Sequence, residues 1–391
     1  MEWLNGSKIR LVLFLFVGAV VFGGVGPARA DFTFGEPVNI QSNFPFLNPP
    51  SEWITCFSAD GLEVYFEAVN RPGGYGLSDI WACKRASVED DYDWGPPENL
   101  GPLVNGAKWD KCPFISADGL ELYFHSDRPG GYGACDLYVT RRATRTSPWG
   151  LPTNLDPKVN GSSDEGLPSV SPDGLELYFM SDRPGGYGSW DMYVSTRATT
   201  NDPWGDSVNV GPAVNSPGQD CQASFSPDGL LMFFWSSRPG GFSAWGDGYV
   251  ARRASRSAPW QPAVNLGPIV NRTSWNAPFV SADGSALYIL CDPNDDMSTW
   301  TWKAPILPIV DFNGDGKVDR VDMGSLILNW GTDKSLYDIG PMPWGDGIVD
   351  SKDLMVLAQH GAMLAGDVNY DGVVDFFDLA EVAKNWLQQG P

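Results

Sequence analysis

Imidazole, paired thiols and positive charge are all scarce in this chain. Two histidines in 391 residues are too few for a histidine-built zinc site or for a Ser-His-Asp triad drawing on both. No two of the six cysteines (Cys56, Cys83, Cys112, Cys135, Cys221 and Cys291) stand three positions apart, which excludes a C-x-x-C metal site. Lysine and arginine number 26 against 48 acids, a formal charge of −22. A nucleic-acid ligand needs a basic surface and is excluded, whereas an acidic balance suits calcium.

Long apolar runs are equally rare. One occurs, Leu11–Val25, preceded by Lys8 and Arg10 and followed by Gly26-Pro27-Ala28-Arg29-Ala30. This pattern predicts a signal peptide over residues 1–30, cleaved before Asp31, and an exported protein that is extracellular, periplasmic or bound at the cell surface. The leader holds three bases and one acid, so its loss moves the charge from −22 to −24. No later run is long enough to span a bilayer. Export permits disulfides, and buried free thiols are the alternative.

What the chain has in abundance is repetition. S-[AP]-D-G opens at Ser58, Ser116, Ser171, Ser226 and Ser281, at spacings of 58, 55, 55 and 55 residues. R-P-G-G-[YF] follows at Arg71, Arg128, Arg183 and Arg238, and a Trp with N-[LV] five residues on at Trp94, Trp149, Trp204 and Trp260. One period reads as four short strands separated by Gly- and Pro-bearing turns, and such repeats, stacked, make a β-propeller. The fifth repeat lacks its last strand, and Phe34–Ile40 carries the matching sequence. The reading is therefore an all-β five-bladed propeller over 31–305 whose N-terminal strand closes the last blade and removes the exposed sheet edge. Ala304–Pro308 reads as a linker. These motifs resemble the PD40, or WD40-like, repeats of TolB-type propellers, a resemblance that implies fold rather than activity.

Six residues before the first four S-[AP]-D-G motifs stand Glu52, Asp110, Glu165 and Asp220, and before the fifth Trp275-Asn276; Trp53 and Trp109 stand beside the acids. In a ring they are expected at the mouth of the central channel. Two such charges ~8 Å apart cost about 2 kcal/mol at an effective dielectric near 20, so the ring must share protons, bind a cation or be well solvated. Carboxylates beside flat aromatic faces suit a carbohydrate; alternatively, each acid pairs with backbone of the next blade. Each R-P-G-G arginine precedes a repeated Asp (Asp79, Asp136, Asp191, Asp247), and an ion pair within the blade is expected there.

Residues 306–391 are of another kind. Asp311, Asn313, Asp315, Lys317 (through its carbonyl), Asp319 and Asp322 occupy the ligand positions of a twelve-residue calcium loop with Gly316 at the sharp turn. Asp367, Asn369, Asp371, Val373, Asp375 and Asp378 repeat it. A degenerate copy lies between, where Asp346, Asp350 and Asp353 need a lengthened loop starting at Asp338. Each loop is followed by one helix. Tandem loops of this form resemble type I dockerin domains, so the resemblance implies a small α-helical module of F-hands that binds a cohesin-like partner and serves polysaccharide breakdown. The small hydroxylic residues often found at loop positions 10 and 11 are replaced by Arg320-Val321 and Phe376-Phe377.

Three functions follow: a binding or scaffold protein holding a glycan or protein ligand and docked through calcium; a glycoside hydrolase with its site on the propeller face; and a structural propeller of an envelope assembly. Repeat-equivalent acids disfavour hydrolysis, because a catalytic acid and base need different surroundings; the odd candidates Glu67 and Asp295-Asp296 have no evident partner in the sequence. Residues 309–391 carry 14 acids and 5 bases, and carboxylates crowded into a loop resist closure without a cation. Helical circular dichroism of residues 306–391 is expected to fall when calcium is chelated; equal signals with and without chelator would refute this coupling.

Overall fold

The computed structural model describes residues 32–47, 52–88, 93–243, 245–273, 276–281, 283–291, 300–310, 312, 318, 320–332, 339 and 348–360. The leader therefore lies outside the described residues. Among those described, no helix is long and apolar enough to cross a membrane.

Each repeat folds as one antiparallel sheet. In the third, Glu165–Val170, Glu176–Ser181, Asp191–Thr196 and Val208–Asn209 pair in chain order. The innermost strands of the other blades are Glu52–Phe57, Asp110–Ile115, Asp220–Phe225 and Asn276–Val280. The aromatic pairs of the second strands (Tyr65-Phe66, Tyr123-Phe124, Tyr178-Phe179, Phe233-Phe234) are fully buried and fill the space between sheets. The fifth blade takes its outermost strand from the other end of the chain, with Val38 opposite Lys303 and Asn39 opposite Trp302. The ring is five-bladed and closed as the repeat count requires. One detail differs: Trp300–Pro308 is a single strand, and Phe32–Phe34 pairs along its end with Phe32 opposite Pro308. Ala304–Pro308 belongs to the blade and is not a linker.

Neighbouring blades are clasped by charge. Arg142, Arg197 and Arg253 each reach back to an acid on the preceding blade, Glu63 at 2.6 Å, Glu121 at 2.8 Å and Glu176 at 2.6 Å. Each guanidinium also lies over its own blade's last-strand Trp, at 4.5 Å from Trp149, 4.2 Å from Trp204 and 4.4 Å from Trp260. This explains the repeated Trp as a cation–π platform. Burial opposes the charge on Glu63 and Glu121, but the arginine bonds prevail and hold both carboxyls below their ordinary range. At the fourth junction both partners are replaced together by buried Leu231 and Ile306. Losing both charges spares the cost of burying one alone.

R-P-G-G-Y-G also has a steric explanation. Its first glycine takes φ near +90 to +97° in all four blades (Gly73 +90, Gly130 +97, Gly185 +95, Gly240 +92). A Cβ on the second would meet the repeated aspartate, at 2.1 Å from Asp191 Oδ2 in the third blade. A Cβ on the third would strike a carbonyl oxygen of the next blade, at 2.4 Å for Gly76, 2.0 Å for Gly133 and 1.9 Å for Gly188.

Among the described residues two helices follow the propeller, α1 (Arg320–Leu328) and α2 (Ser351–His360). Leu326, Ile339, Val349, Leu354, Val356 and Leu357 make a separate small core there.

Two alanine substitutions separate these roles. Gly130→Ala meets no atom within 4 Å and is expected to cost about 1–2 kcal/mol from backbone strain alone. Gly133→Ala must push two blades apart and is expected to lower the urea midpoint by clearly more; equal midpoints would refute the packing role.

Candidate functional site

The innermost strands line a central cavity of about 720 Å³. Four of these strands are bulged, their pairing slipping by one residue between Ile54 and Cys56, Lys111 and Phe114, Gly166 and Ser169, and Cys221 and Ser224. In three blades the residue at the bulge is left-handed: Cys112 (φ 48), Leu167 (φ 50) and Gln222 (φ 61). Such a residue re-aims the local backbone. The Cys112 amide donates to Glu67 Oε2 of the preceding blade at 2.7 Å, and the Leu167 amide faces His125 Nδ1 at 3.4 Å.

Glu67 and His125 occupy one repeat position, held in the other blades by Met180, Trp235 and Leu290. Opposite these five on the inner strands stand Trp53, Lys111, Gly166, Cys221 and Ala277. The repeats thus diverge most where the chain faces the channel. Gly166 is required there, since a Cβ would lie 2.9 Å from the Met180 methyl and 3.4 Å from His125 Nδ1. Burial pushes the Glu67 carboxyl up, opposed by Lys111 and the Cys112 bonds. Burial, with Lys111 nearby, pulls His125 down to about 3, so it is neutral at pH 7. Burial and Glu67 raise the Cys112 thiol well above its usual value. This end of the channel offers one acid, one amine and a neutral imidazole, and the cavity walls are otherwise mostly apolar, with Thr55, Gln222, Ser224 and Ser281 as further polar side chains.

The expected ring of mouth carboxylates is built differently. Glu52, Asp110, Glu165 and Asp220 are between 0 and 4% exposed, and each is met by its own R-P-G-G arginine. Arg71 reaches Glu52 at 2.7 Å, Arg183 reaches Glu165 at 2.8 Å, Arg238 reaches Asp220 at 2.8 Å, and Arg128 bonds Asp110 likewise. Sharing protons, binding a cation and full solvation are therefore all unnecessary. The acids also accept amide protons within their own blade, as Glu165 does from Gly161 at 2.8 Å. Burial nevertheless nudges the Glu165 carboxyl upward.

The arginines do not pair with Asp79, Asp136, Asp191 and Asp247. Those aspartates instead take two backbone amides of their own loop and one Asn side chain of the last strand. For Asp191 these are Tyr187 at 2.5 Å, Gly188 at 3.0 Å and Asn209 at 2.9 Å. Of the three mouth tryptophans, Trp53 lines the cavity. Trp109 instead carries the Lys111 ammonium 3.8 Å above its ring. Trp275 lies outside the described residues.

The channel position was legible as a slot where five repeats carry five different side chains. What the sequence withheld was that Glu67, Lys111, Cys112 and His125 converge. Cys56, Cys83, Cys112, Cys135 and Cys221 are free thiols.

In the C-terminal module, Asp311, Asn313, Asp315, Lys317, Asp319, Asp338, Asp346 and every member of the loop from Asp367 to Asp378 lie outside the described residues. Asp322, Asp350 and Asp353 are described. Asp322, fully buried, accepts the Phe312 amide at 2.7 Å. Asp353, fully buried, accepts the Ile339 amide at 2.6 Å and the Asp350 amide at 2.5 Å. Phe312 follows Asp311 as Ile339 follows Asp338, so the two aspartates are held alike. Oxygen-only donors and a buried terminal carboxylate fit a hard cation such as calcium.

No protein-family model and no curated protein sequence matches this chain. Among solved structures it is similar to TolB from Acinetobacter baumannii (14% identity, 66% of this chain, 56% of that one, TM-score 0.41). It is also similar to an endo-arabinase from Bacteroides thetaiotaomicron (16% identity, 72% of this chain, 98% of that one, TM-score 0.44). A third is an α-L-arabinofuranosidase from Podospora anserina (14% identity, 71% of this chain, 96% of that one, TM-score 0.40).

The buried imidazole makes a pH prediction. Unfolded His binds a proton near pH 6.5, while folded His125 does so near 3. The unfolded state thus takes up more protons between these values, and stability falls as pH drops through them. Glu67, raised on folding, acts with the opposite sign. His125→Leu is therefore expected to lose less thermal stability than the parent between pH 7 and 4.5; an unchanged loss would refute the buried neutral state.

Proposed function

We propose that this is an exported binding protein whose propeller holds a glycan at the channel and whose C-terminal module docks it, with calcium, to a cohesin-like partner near polysaccharide breakdown. The observation that carries the reading is the fate of the carboxylates. Hydrolysis by the usual route needs two carboxyl groups flanking one bond. The four repeat acids are spent on arginines, and among the described residues lining the cavity Glu67 is the one carboxylate. Trp53, Phe57, Phe114, Phe225 and Phe279 line the same cavity. Flat apolar walls with few polar groups suit the faces and hydroxyls of a sugar.

The leader pattern supports export, and the oxygen-ligand loops support calcium. Asp311, Asn313, Asp315, the Lys317 carbonyl, Asp319 and Asp322 would hold one ion, and Asp367, Asn369, Asp371, the Val373 carbonyl, Asp375 and Asp378 a second. Bound calcium supplies the positive charge that lets each loop close. Asp322 and Asp353 brace the loop starts by taking the amide of the second loop residue.

The full chain, incubated with a panel of insoluble polysaccharides, is expected to be retained on at least one without releasing reducing ends. Release above background would replace this reading with a hydrolase. Met180→Trp, which puts a larger side chain into the channel at a lining position, is expected to weaken retention about tenfold, a cost of about 1.4 kcal/mol.

A further inference from the structure

The R-P-G-G loops present a feature that the channel does not use. Tyr75, Tyr132, Tyr187 and Phe242 are the aromatics of that motif, and they are 52, 52, 50 and 60% exposed. All four follow the second strand of their blade, so they stand on one face of the ring, the end at which the innermost strands begin. Among the described residues their rings make no aromatic contact, and the three tyrosine hydroxyls make no hydrogen bond. The fourth loop adds Trp245, 62% exposed.

The loops are held firmly although the rings are not. Each aromatic's own amide donates to the buried aspartate behind it, Tyr75 to Asp79 at 2.5 Å, Tyr132 to Asp136 at 2.6 Å, Tyr187 to Asp191 at 2.5 Å and Phe242 to Asp247 at 2.6 Å. The next amide donates to the same carboxylate, at 2.9–3.0 Å. Asn99, Asn154, Asn209 and Asn265 complete each aspartate at 2.8–3.1 Å. Ordering the loop on binding therefore costs little entropy, because the fold has already ordered it. A ring placed for packing would be buried; these four are built outward on rigid mounts.

We infer that these four aromatics form a crown on which a neutral, extended polysaccharide stacks, one sugar face to a ring. Charge selects the partner. The R-P-G-G arginines beside the rings are turned inward, 16–22% exposed and paired with buried acids. No cation of the motif is left for a phosphate or sulfate, and a chain of net charge −22 repels polyanions and anionic lipid. Spacing selects it further. The rings are separated by Gly and Pro and stand one per blade, rather than merging into the continuous apolar core a protein interface needs. By sequence the fifth blade replaces the motif with Asp292-Pro293-Asn294-Asp295-Asp296, so four blades supply the crown. This inference rests on the glycan reading above and extends the bound chain from the channel mouth onto the outer face.

The test is retention of the full-length protein on insoluble cellulose, β-mannan and arabinoxylan, with polygalacturonate as the anionic control. Each of Tyr75→Ser, Tyr132→Ser and Tyr187→Ser is expected to weaken association about fivefold, and the triple variant by about a hundredfold, from lost stacking. Tyr→Phe at the same positions should bind as the parent does, since blade four carries Phe242. Thermal midpoints should not move, because the amides rather than the rings hold the loops. A parent retained on a neutral polysaccharide and a triple variant retained equally would overturn the crown while sparing the glycan reading. A parent retained on none of the neutral polymers would overturn both.

Discussion

Everything at the working face hangs on one buried pair, the carboxylate that starts each innermost strand and the arginine that leaves the second strand of the same blade. The guanidinium does three things at once. In blade three, Arg183 pairs with Glu165 at 2.8 Å, donates to the Val159 carbonyl at 2.8 Å and lies 4.6 Å from the centre of the Tyr193 ring. Arginine can do this because its fork is planar, permanently charged and weakly hydrated. Breaking such a pair leaves a buried charge without compensation, which is far costlier than the pair is worth.

The consequence is a division of labour between the ring's acids. Carboxylates that repeat are internal and neutralised, so they shape the blade without giving the channel a field. The acid that does not repeat, Glu67, faces the cavity, and Cys112 and Lys111 moderate it. Chemistry is thus concentrated where the repeats differ, and rigidity where they agree. The aspartate of each R-P-G-G loop belongs to the second class, fastening a turn whose aromatic the fold leaves in solvent.

The clasps between blades follow the same economy. Three junctions use a Glu–Arg pair over a Trp, and the fourth abandons both charges together. Closure of the ring relies on backbone pairing of Val38-Asn39 and Phe32–Phe34 with the last long strand, supported by Phe44 and Phe57 packed beside Trp94. The outermost strands are only two or three residues long, so the outer edges the ring leaves are short.

The amino-acid sequence by itself determined the period, the four strands per repeat, the number of blades and the strand that closes them, because hydrophobic alternation and turn chemistry are local properties of the chain. It also displayed the slot that varies between Glu67, His125, Met180, Trp235 and Leu290. Partnership was another matter. Arg71, Arg128, Arg183 and Arg238 each have an aspartate eight or nine residues ahead and an acid 18 or 19 residues behind. Distance along the chain favours the wrong one. Pairing of the first two strands brings the distant acid beside the arginine, while the left-handed first glycine folds the loop so that backbone amides claim the nearer aspartate. Similarly, nothing local reveals that a bulge turns the Cys112 amide toward Glu67 of the preceding blade. Those choices belong to the tertiary structure, since they depend on which blade's backbone stands next to which side chain.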